Sequence, residues 1–95
     1  MNIKITGTGS YIPKVITANA DFDNHEFFNL DGTGFPQDNK TTIAKFKAIT
    51  GIEERRYLEE NLNTSDMAVI AAQQALETSN TDPETLDYII VAHNY

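Results

Sequence analysis

The side chains that could carry acid–base or nucleophilic chemistry are few in this sequence. It contains two histidines, His25 and His93, and no cysteine. The lack of cysteine excludes a disulfide framework, a thiolate nucleophile and a zinc–thiolate site within these residues, and leaves the redox compartment open. His25 lies beside Glu26 without a second ligand one helical turn further on, so we interpret it as solvent-exposed and not as a metal ligand.

The glycine-containing segment at residues 7–13, Gly-Thr-Gly-Ser-Tyr-Ile-Pro, is a second candidate. A dinucleotide-binding loop would need a third glycine at the position of Ile12 and a helix beginning where Pro13 stands. The segment meets neither condition. We therefore expect its glycines to permit close strand packing, followed by a turn at the proline.

The element that would position a site is the apolar run at residues 86–92, Leu-Asp-Tyr-Ile-Ile-Val-Ala. A run that is apolar on both faces predicts a buried central strand, because a half-exposed strand would alternate. In open α/β sheets, ligands bind beyond the carboxyl ends of strands. Only His93, Asn94 and Tyr95 follow the run, so the sequence predicts an α/β protein that stops as it reaches its site.

Two further strands are predicted from alternation, at residues 2–6 and 52–58. The second contains Glu-Glu-Arg-Arg at 53–56, which we interpret as a solvated edge with weak surface ion pairs. The order strand, helix, strand from residue 52 to residue 92 predicts a right-handed parallel crossover.

Three helices are predicted from cap residues and apolar spacing. The first is short, begins with Thr17 or Asn19 as N-cap and Asp21 in the first turn, and ends near Phe28. The others are residues 41–50, with Ile43, Phe46 and Ile49 on one face and Gly51 at the end, and residues 66–78, alanine-rich and capped by Thr64 or Ser65.

Two connecting segments complete the pattern. Residues 29–40 contain two glycines and a proline without any periodicity, which predicts a loop that is either a functional cover or an insertion. Asp-Pro-Glu at 82–84 predicts a single helical turn that leads into the central strand.

Composition narrows the class of partner. The formal charge of −7 repels phosphate backbones and anionic membrane surfaces, so neither nucleic acid nor membrane is expected as a partner. The first residues lack a basic segment followed by an apolar run, and no stretch is long and apolar enough to span a membrane. We expect a single cytoplasmic domain.

Several segments together resemble the opening of the beta-ketoacyl-acyl-carrier-protein synthase III (KAS III) family. They occur in family order with plausible spacing and cover nearly the whole chain outside residues 28–40. They are residues 7–13, residues 17–21, Thr-Gly-Ile at 50–52 with Glu54 and Arg55, Thr-Ser-Asp-Met-Ala at 64–68, and residues 87–92.

The resemblance implies a thiolase-like fold, in which two duplicated α/β halves pack around shared central helices, and a homodimer. Residues 1–95 would then be the amino-terminal portion of the first half, part of a mixed sheet covered by helices, with residues 29–40 as a loop insertion. We expect apolar surface on the helix at 66–78 to be exposed in the isolated chain, which predicts self-association.

The resemblance also implies acyltransferase chemistry. In this family an acyl group passes from acyl-CoA to an enzyme cysteine and is joined to malonyl-acyl carrier protein in a decarboxylating Claisen condensation. The cysteine, histidine and asparagine that do this in the family are not among these residues, and neither His93 nor Asn94 matches their motifs. We therefore assign no catalytic residue, no metal and no cofactor other than acyl-CoA as the parent enzyme's substrate, and expect the chain alone to be inactive.

One departure from the family pattern concerns CoA. The family commonly places a tryptophan and an arginine near the CoA adenine, and this sequence has Lys45 and Ile49 at those positions. Lys45 or Lys47 could contact a CoA phosphate or the acidic carrier protein, although an exposed helical lysine is usually only solvated. The alternatives are a related thiolase-fold acyltransferase with another substrate and a non-catalytic binding or assembly module.

Overall fold

The computed structural model describes residues 1–94, which mix two α-helices with one two-stranded sheet, consistent with the predicted α/β class. The chain forms two compact units. Pro13–Glu59 contains the sheet, and we call it the sheet unit. Met1–Ile12 and the chain from Glu60 onward contain the longer helix, and we call them the long-helix unit.

The sheet of the sheet unit is antiparallel. Strand β1, Val15–Ala18, pairs with strand β2, Glu54–Tyr57, so that Val15 faces Tyr57 and Ala18 faces Glu54. The prediction of an extended segment at 52–58 is confirmed by β2. Strand β1 was missed, although the β-branched residues at 15–17 favour a strand.

The helix predicted to run from about residue 17 to Phe28 is wrong. A short 3-10 helix, Asn19–Phe22, follows β1 directly and is capped at Ala18, whose backbone N–H donates to Asp21 Oδ2 over 2.7 Å. Asp21 therefore lies in the first turn as predicted, but Asn19 is not the cap: its side-chain amide donates to the Ile52 carbonyl. Asparagine and aspartate fill four of the six positions at 19–24, and they are weak helix formers because such side chains can bond nearby backbone in other conformations.

The loop predicted at residues 29–40 is confirmed over residues 29–38, and its first half is a tight turn. An isolated antiparallel bridge joins Phe28 to Gly34, and the Phe35 N–H donates to the Phe27 carbonyl over 2.9 Å. Gly32 adopts a φ of 84°, a left-handed conformation that glycine tolerates at low cost. The loop also ends earlier than predicted, because the next helix begins at Asn39.

Helix α1, Asn39–Thr50, confirms the predicted helix and its end. Gly51 ends it with a φ of 69°, as a C-terminal glycine does. The predicted apolar face is only partly formed: Ile43 is half-buried, but Ile49 is 82% exposed. The buried residue of this helix is Thr42, which is 2% exposed.

Helix α2, Thr64–Ser79, confirms the strongest helix prediction but begins differently. Its N-cap is Asn63, whose side-chain oxygen accepts the backbone N–H groups of Ser65 and Asp66, so the predicted caps Thr64 and Ser65 are wrong. Asp66 in turn accepts the Asn63 N–H over 2.8 Å, completing a capping box. An asparagine in the left-handed conformation, Asn80, ends the helix.

The two glycines near the start of the chain pack on α2. A Cβ added at Gly7 would lie 2.5 Å from the Ala75 carbonyl oxygen, and one added at Gly9 would lie 2.6 Å from the Ala75 nitrogen. Gln74 and Thr78 of the same helix hydrogen-bond the backbone of this segment. The close backbone approach predicted for these glycines is confirmed, but the neighbour is a helix and not a strand.

The strands predicted at residues 2–6 and 86–92 do not form. Ile3 and Ile90 are 86% and 93% exposed, and the only strand pairing within residues 1–94 is that of β1 with β2. A strand apolar on both faces is stable only when neighbouring strands and covering helices flank it, and the described residues supply none there. The mixed sheet and the parallel crossover are therefore absent from residues 1–94 as well, whereas the turn at 82–84 is confirmed as a 3-10 helix, Pro83–Thr85.

Candidate functional site

The candidate substrate contacts, Lys45 and Lys47, both lie on helix α1 and both have a partner. The Lys45 ammonium donates to Gln37 Oε1 over 2.9 Å. The Lys47 ammonium lies 3.0 Å from Glu53 Oε1. Both members of that ion pair are mostly exposed, so the pair stabilises the fold by only about 0 to 1 kcal/mol.

The two lysines point away from one another. Residues two apart on an α-helix are separated by roughly 200° around its axis, so their side chains do not meet. Lys45 instead shares its face with Ile49, one turn further on. This face offers one cation and an exposed aliphatic side chain, and it contains no aromatic ring at either position. It suits a single phosphate contact and not a stacked base.

The acid–base candidates are not gathered into a site. His93 and Asn94 are exposed and follow a segment without helix or strand, so the predicted strand end that would position them is absent. His25 is exposed, as predicted, and its ring contacts those of Phe22 and Phe27. Within residues 1–94, no three acidic or histidine side chains are grouped as a metal site would require.

The titration behaviour of two carboxylates follows from turn and cap geometry. The Thr41 backbone N–H and its side-chain hydroxyl hold the pKa of Asp38, the α1 cap, below its ordinary value, and nearby Lys40 lowers it further. The Thr33 hydroxyl and backbone N–H lower the pKa of Asp31 in the same way. Both carboxylates organise local backbone, and neither shift indicates a catalytic acid or base.

Sequence reasoning missed the environment of Arg55. The segment at 53–56 was interpreted as a solvated edge, which holds for the exposed pair of Glu54 with Arg56, 3.6 Å apart. Arg55, however, is half-buried, and its guanidinium lies 5.9 Å from the centre of the Phe22 ring. Strand alternation was the available signal, since it places residue 55 on the opposite face from residues 54 and 56.

An aromatic cluster next to Arg55 was also missed. Phe27 is its centre, with ring centroids 4.9 Å from His25, 5.9 Å from Phe35 and 5.8 Å from Phe46. His25 and Phe27 follow the 3-10 helix, Phe35 belongs to the loop before α1, and Phe46 lies on helix α1. No single periodic segment contains them, so no sequence pattern marks the cluster.

Comparison with known proteins identifies the class to which the chain is similar. No protein-family model matches it. Curated relatives do match, and they are named as beta-ketoacyl-acyl-carrier-protein synthases. Across residues 1–94 no helix is long and apolar enough to cross a membrane.

The particular relatives are named KAS III. Beta-ketoacyl-acyl-carrier-protein synthase III 1 from two strains of Vibrio vulnificus is 39% identical over 92 residues, which is 97% of this chain and 25% of the relative. Beta-ketoacyl-acyl-carrier-protein synthase III from Staphylococcus haemolyticus is 36% identical over the same shares. The resemblance to the KAS III family is confirmed, and the chain spans about a quarter of the length of the curated relatives it matches.

Proposed function

We propose that this chain is the amino-terminal part of a KAS III-like acyltransferase with a thiolase-like fold. The parent enzyme transfers an acyl group from acyl-CoA to a cysteine and condenses it with malonyl-acyl carrier protein, with loss of carbon dioxide. The observation that supports this proposal is sequence identity of 36–39% across 97% of the chain. A cytoplasmic homodimer involved in fatty acid biosynthesis is part of the same proposal.

The contribution of these residues is structural in this proposal. Condensation needs a nucleophile of lowered pKa and donors that stabilise the enolate and the oxyanion. The chain contains no cysteine, and its two histidines are exposed. The family-like glycine segment at residues 7–13 packs on helix α2, which supports a scaffold role for the matched motifs. The chain by itself is then inactive.

Lys45 is the stronger of the two proposed substrate contacts. Its partner, Gln37, is neutral, so the lysine keeps its positive charge available to a phosphate or an acidic protein. The charge of Lys47 is already offset by Glu53. In the complete enzyme, Lys45→Gln should raise KM for acyl-CoA or for the carrier protein several-fold, whereas Lys47→Gln should raise it less, because Glu53 already offsets the charge of Lys47.

The first experiment is an intact-mass measurement on the native protein, together with sequencing of whatever follows Tyr95. Continuation into a cysteine at the start of a helix, and later a histidine and an asparagine, supports the proposal. The complete chain is then assayed with malonyl-acyl carrier protein and a panel of acyl-CoA donors, which separates KAS III activity from that of a related acyltransferase. A native chain that ends at Tyr95 would exclude the enzyme and leave the binding module.

A further inference from the structure

The sheet unit contains a cavity of about 210 Å³. Its apolar walls are Phe22, Phe27, Ile43 and Phe46, and the polar groups at its lining include Asn19 and Arg55. An apolar cavity of about 150 Å³ is large enough to hold benzene. This cavity therefore has room for a six-membered ring, or a branched chain of similar size, together with one small polar group.

The walls of the cavity are held by contacts outside it. Phe27 and Phe46 meet edge to face, and Phe35 packs on Phe27 from the neighbouring loop. Asn39, at the start of α1, donates to the carbonyls of Asp23 and His25. These bonds connect the helix to the segment between Phe22 and Phe27. Aromatic walls fixed in this way lose little side-chain entropy when a ligand enters.

The Arg55 guanidinium is the cation of this cavity. It is half-buried and forms no ion pair with the residues that the structure describes; its contacts are the Phe22 ring and a long, 3.5 Å hydrogen bond to Asn19 Oδ1. The acids beside it in sequence are engaged elsewhere, Glu53 with Lys47 and Glu54 with Arg56. A guanidinium presents several donors in a fork that matches a carboxylate.

We propose that this cavity binds a small apolar monocarboxylate, with its ring or branched chain among the phenylalanines and its carboxylate on Arg55. The chain's charge of −7 works against anions in general, so the preference comes from the local guanidinium and not from the field of the whole molecule. The site is separate from Lys45 and Lys47, neither of which lines the cavity. It does not depend on the condensing reaction.

Benzoate is the probe, and benzamide is its neutral match in shape. Titration of the isotope-labelled 95-residue chain, followed by nuclear magnetic resonance, should show saturable binding of benzoate with a Kd of roughly millimolar, as expected for so few non-hydrogen atoms. The shifted signals should be those of Phe22, Phe27, Phe46 and Arg55. Benzamide should bind about tenfold more weakly, because it lacks the charge-assisted hydrogen bonds.

Two variants of strand β2 test the role of the charge. Arg55→Gln should abolish the preference for benzoate over benzamide, whereas Arg56→Gln, the same change on the opposite face, should preserve it. Equal binding of the two probes to the unmodified chain would overturn the proposal even if Arg55→Gln failed to fold. So would benzoate shifts confined to residues 1–12 and 60–94, or no saturable binding. None of these outcomes bears on whether the parent enzyme condenses acyl groups.

Discussion

Three phenylalanines of the sheet unit are less exposed than the isoleucines near the two ends of the chain. In the sheet unit, Phe22, Phe27 and Phe35 are half-buried, and Phe27 packs against Phe35 and against Phe46 of helix α1. In the long-helix unit, Ile3 and Ile90 are more than four-fifths exposed. These phenylalanines come from short segments that fold back on each other, whereas the isoleucines near the two ends of the chain need strands that no described residue provides. Equal hydrophobicity thus leads to burial only where a partner is present.

The largest expected effect is on association. The predicted exposure of apolar surface on the helix at 66–78 is confirmed at Val69, which is 53% exposed, but residues 88–91 are more exposed still. We expect the chain to self-associate mainly through this segment, and Ile90→Lys should weaken that association by about 100-fold or more, because an unpaired charge in an apolar interface costs several kcal/mol. Ile49→Lys is the matched control, since Ile49 is similarly exposed on helix α1. Light scattering over a wide concentration range measures both. A monomer at every concentration would contradict the expected self-association. Equal effects of the two substitutions would show that residues 88–91 are not the preferred contact.

The next effect concerns the glycine contact in the long-helix unit. Gly9→Ala should destabilise the packing of residues 7–10 on helix α2 by about 1–3 kcal/mol, since the new methyl group would collide with the backbone of Ala71 and Ala75. Hydrogen exchange of the Ser10 amide, which donates to Gln74, reports the loss. Gly34→Ala in the sheet unit should leave exchange unchanged, because nothing lies within 4 Å of the added carbon.

A smaller effect of opposite sign is expected at Thr42 in the sheet unit. Its hydroxyl is buried and has no hydrogen-bond partner among the described residues. Thr42→Val keeps the shape and removes the unpaired group, so it should stabilise the sheet unit by about 1 kcal/mol in denaturant unfolding. Thr41→Val is the control and should destabilise, because the Thr41 hydroxyl bonds the Asp38 carboxylate. Destabilisation by both changes would show that the Thr42 hydroxyl is satisfied.

The smallest effect is the pH dependence of helix α1. The folded-state pKa of Asp38 is depressed below 3.8, so its contribution is present above that pH and is lost as the pH falls through the lower folded value. Helix content monitored by circular dichroism should therefore decline at strongly acidic pH. Asp38→Asn retains a capping oxygen without a titrating group, so the part of the decline due to this cap should vanish. An unchanged acid profile would rule out Asp38 as its source.

Local signals in the sequence determined where helices α1 and α2 lie and where α1 ends. Gly51 ends α1, Asp82 and Pro83 form a turn, and the alanine-rich stretch is helical, because each depends on neighbours within about one turn. The family motifs likewise predicted the relationship that the curated relatives confirm. No local signal determined the candidate site: Lys45 and Lys47 were named from the resemblance alone.

Only the tertiary structure decided which apolar and charged residues become buried. Residues 86–92 have the composition of a central strand, but a strand exists only when other strands pair with it, and none does among the described residues. Arg55 lies in a charged segment, yet it is half-buried in the structure, where it pairs with strand β1. It also lines a cavity together with Phe22, Phe27 and Phe46. Burial depends on contacts between segments that are distant in sequence, whereas periodicity within one segment shows only which residues share a face and not what covers that face.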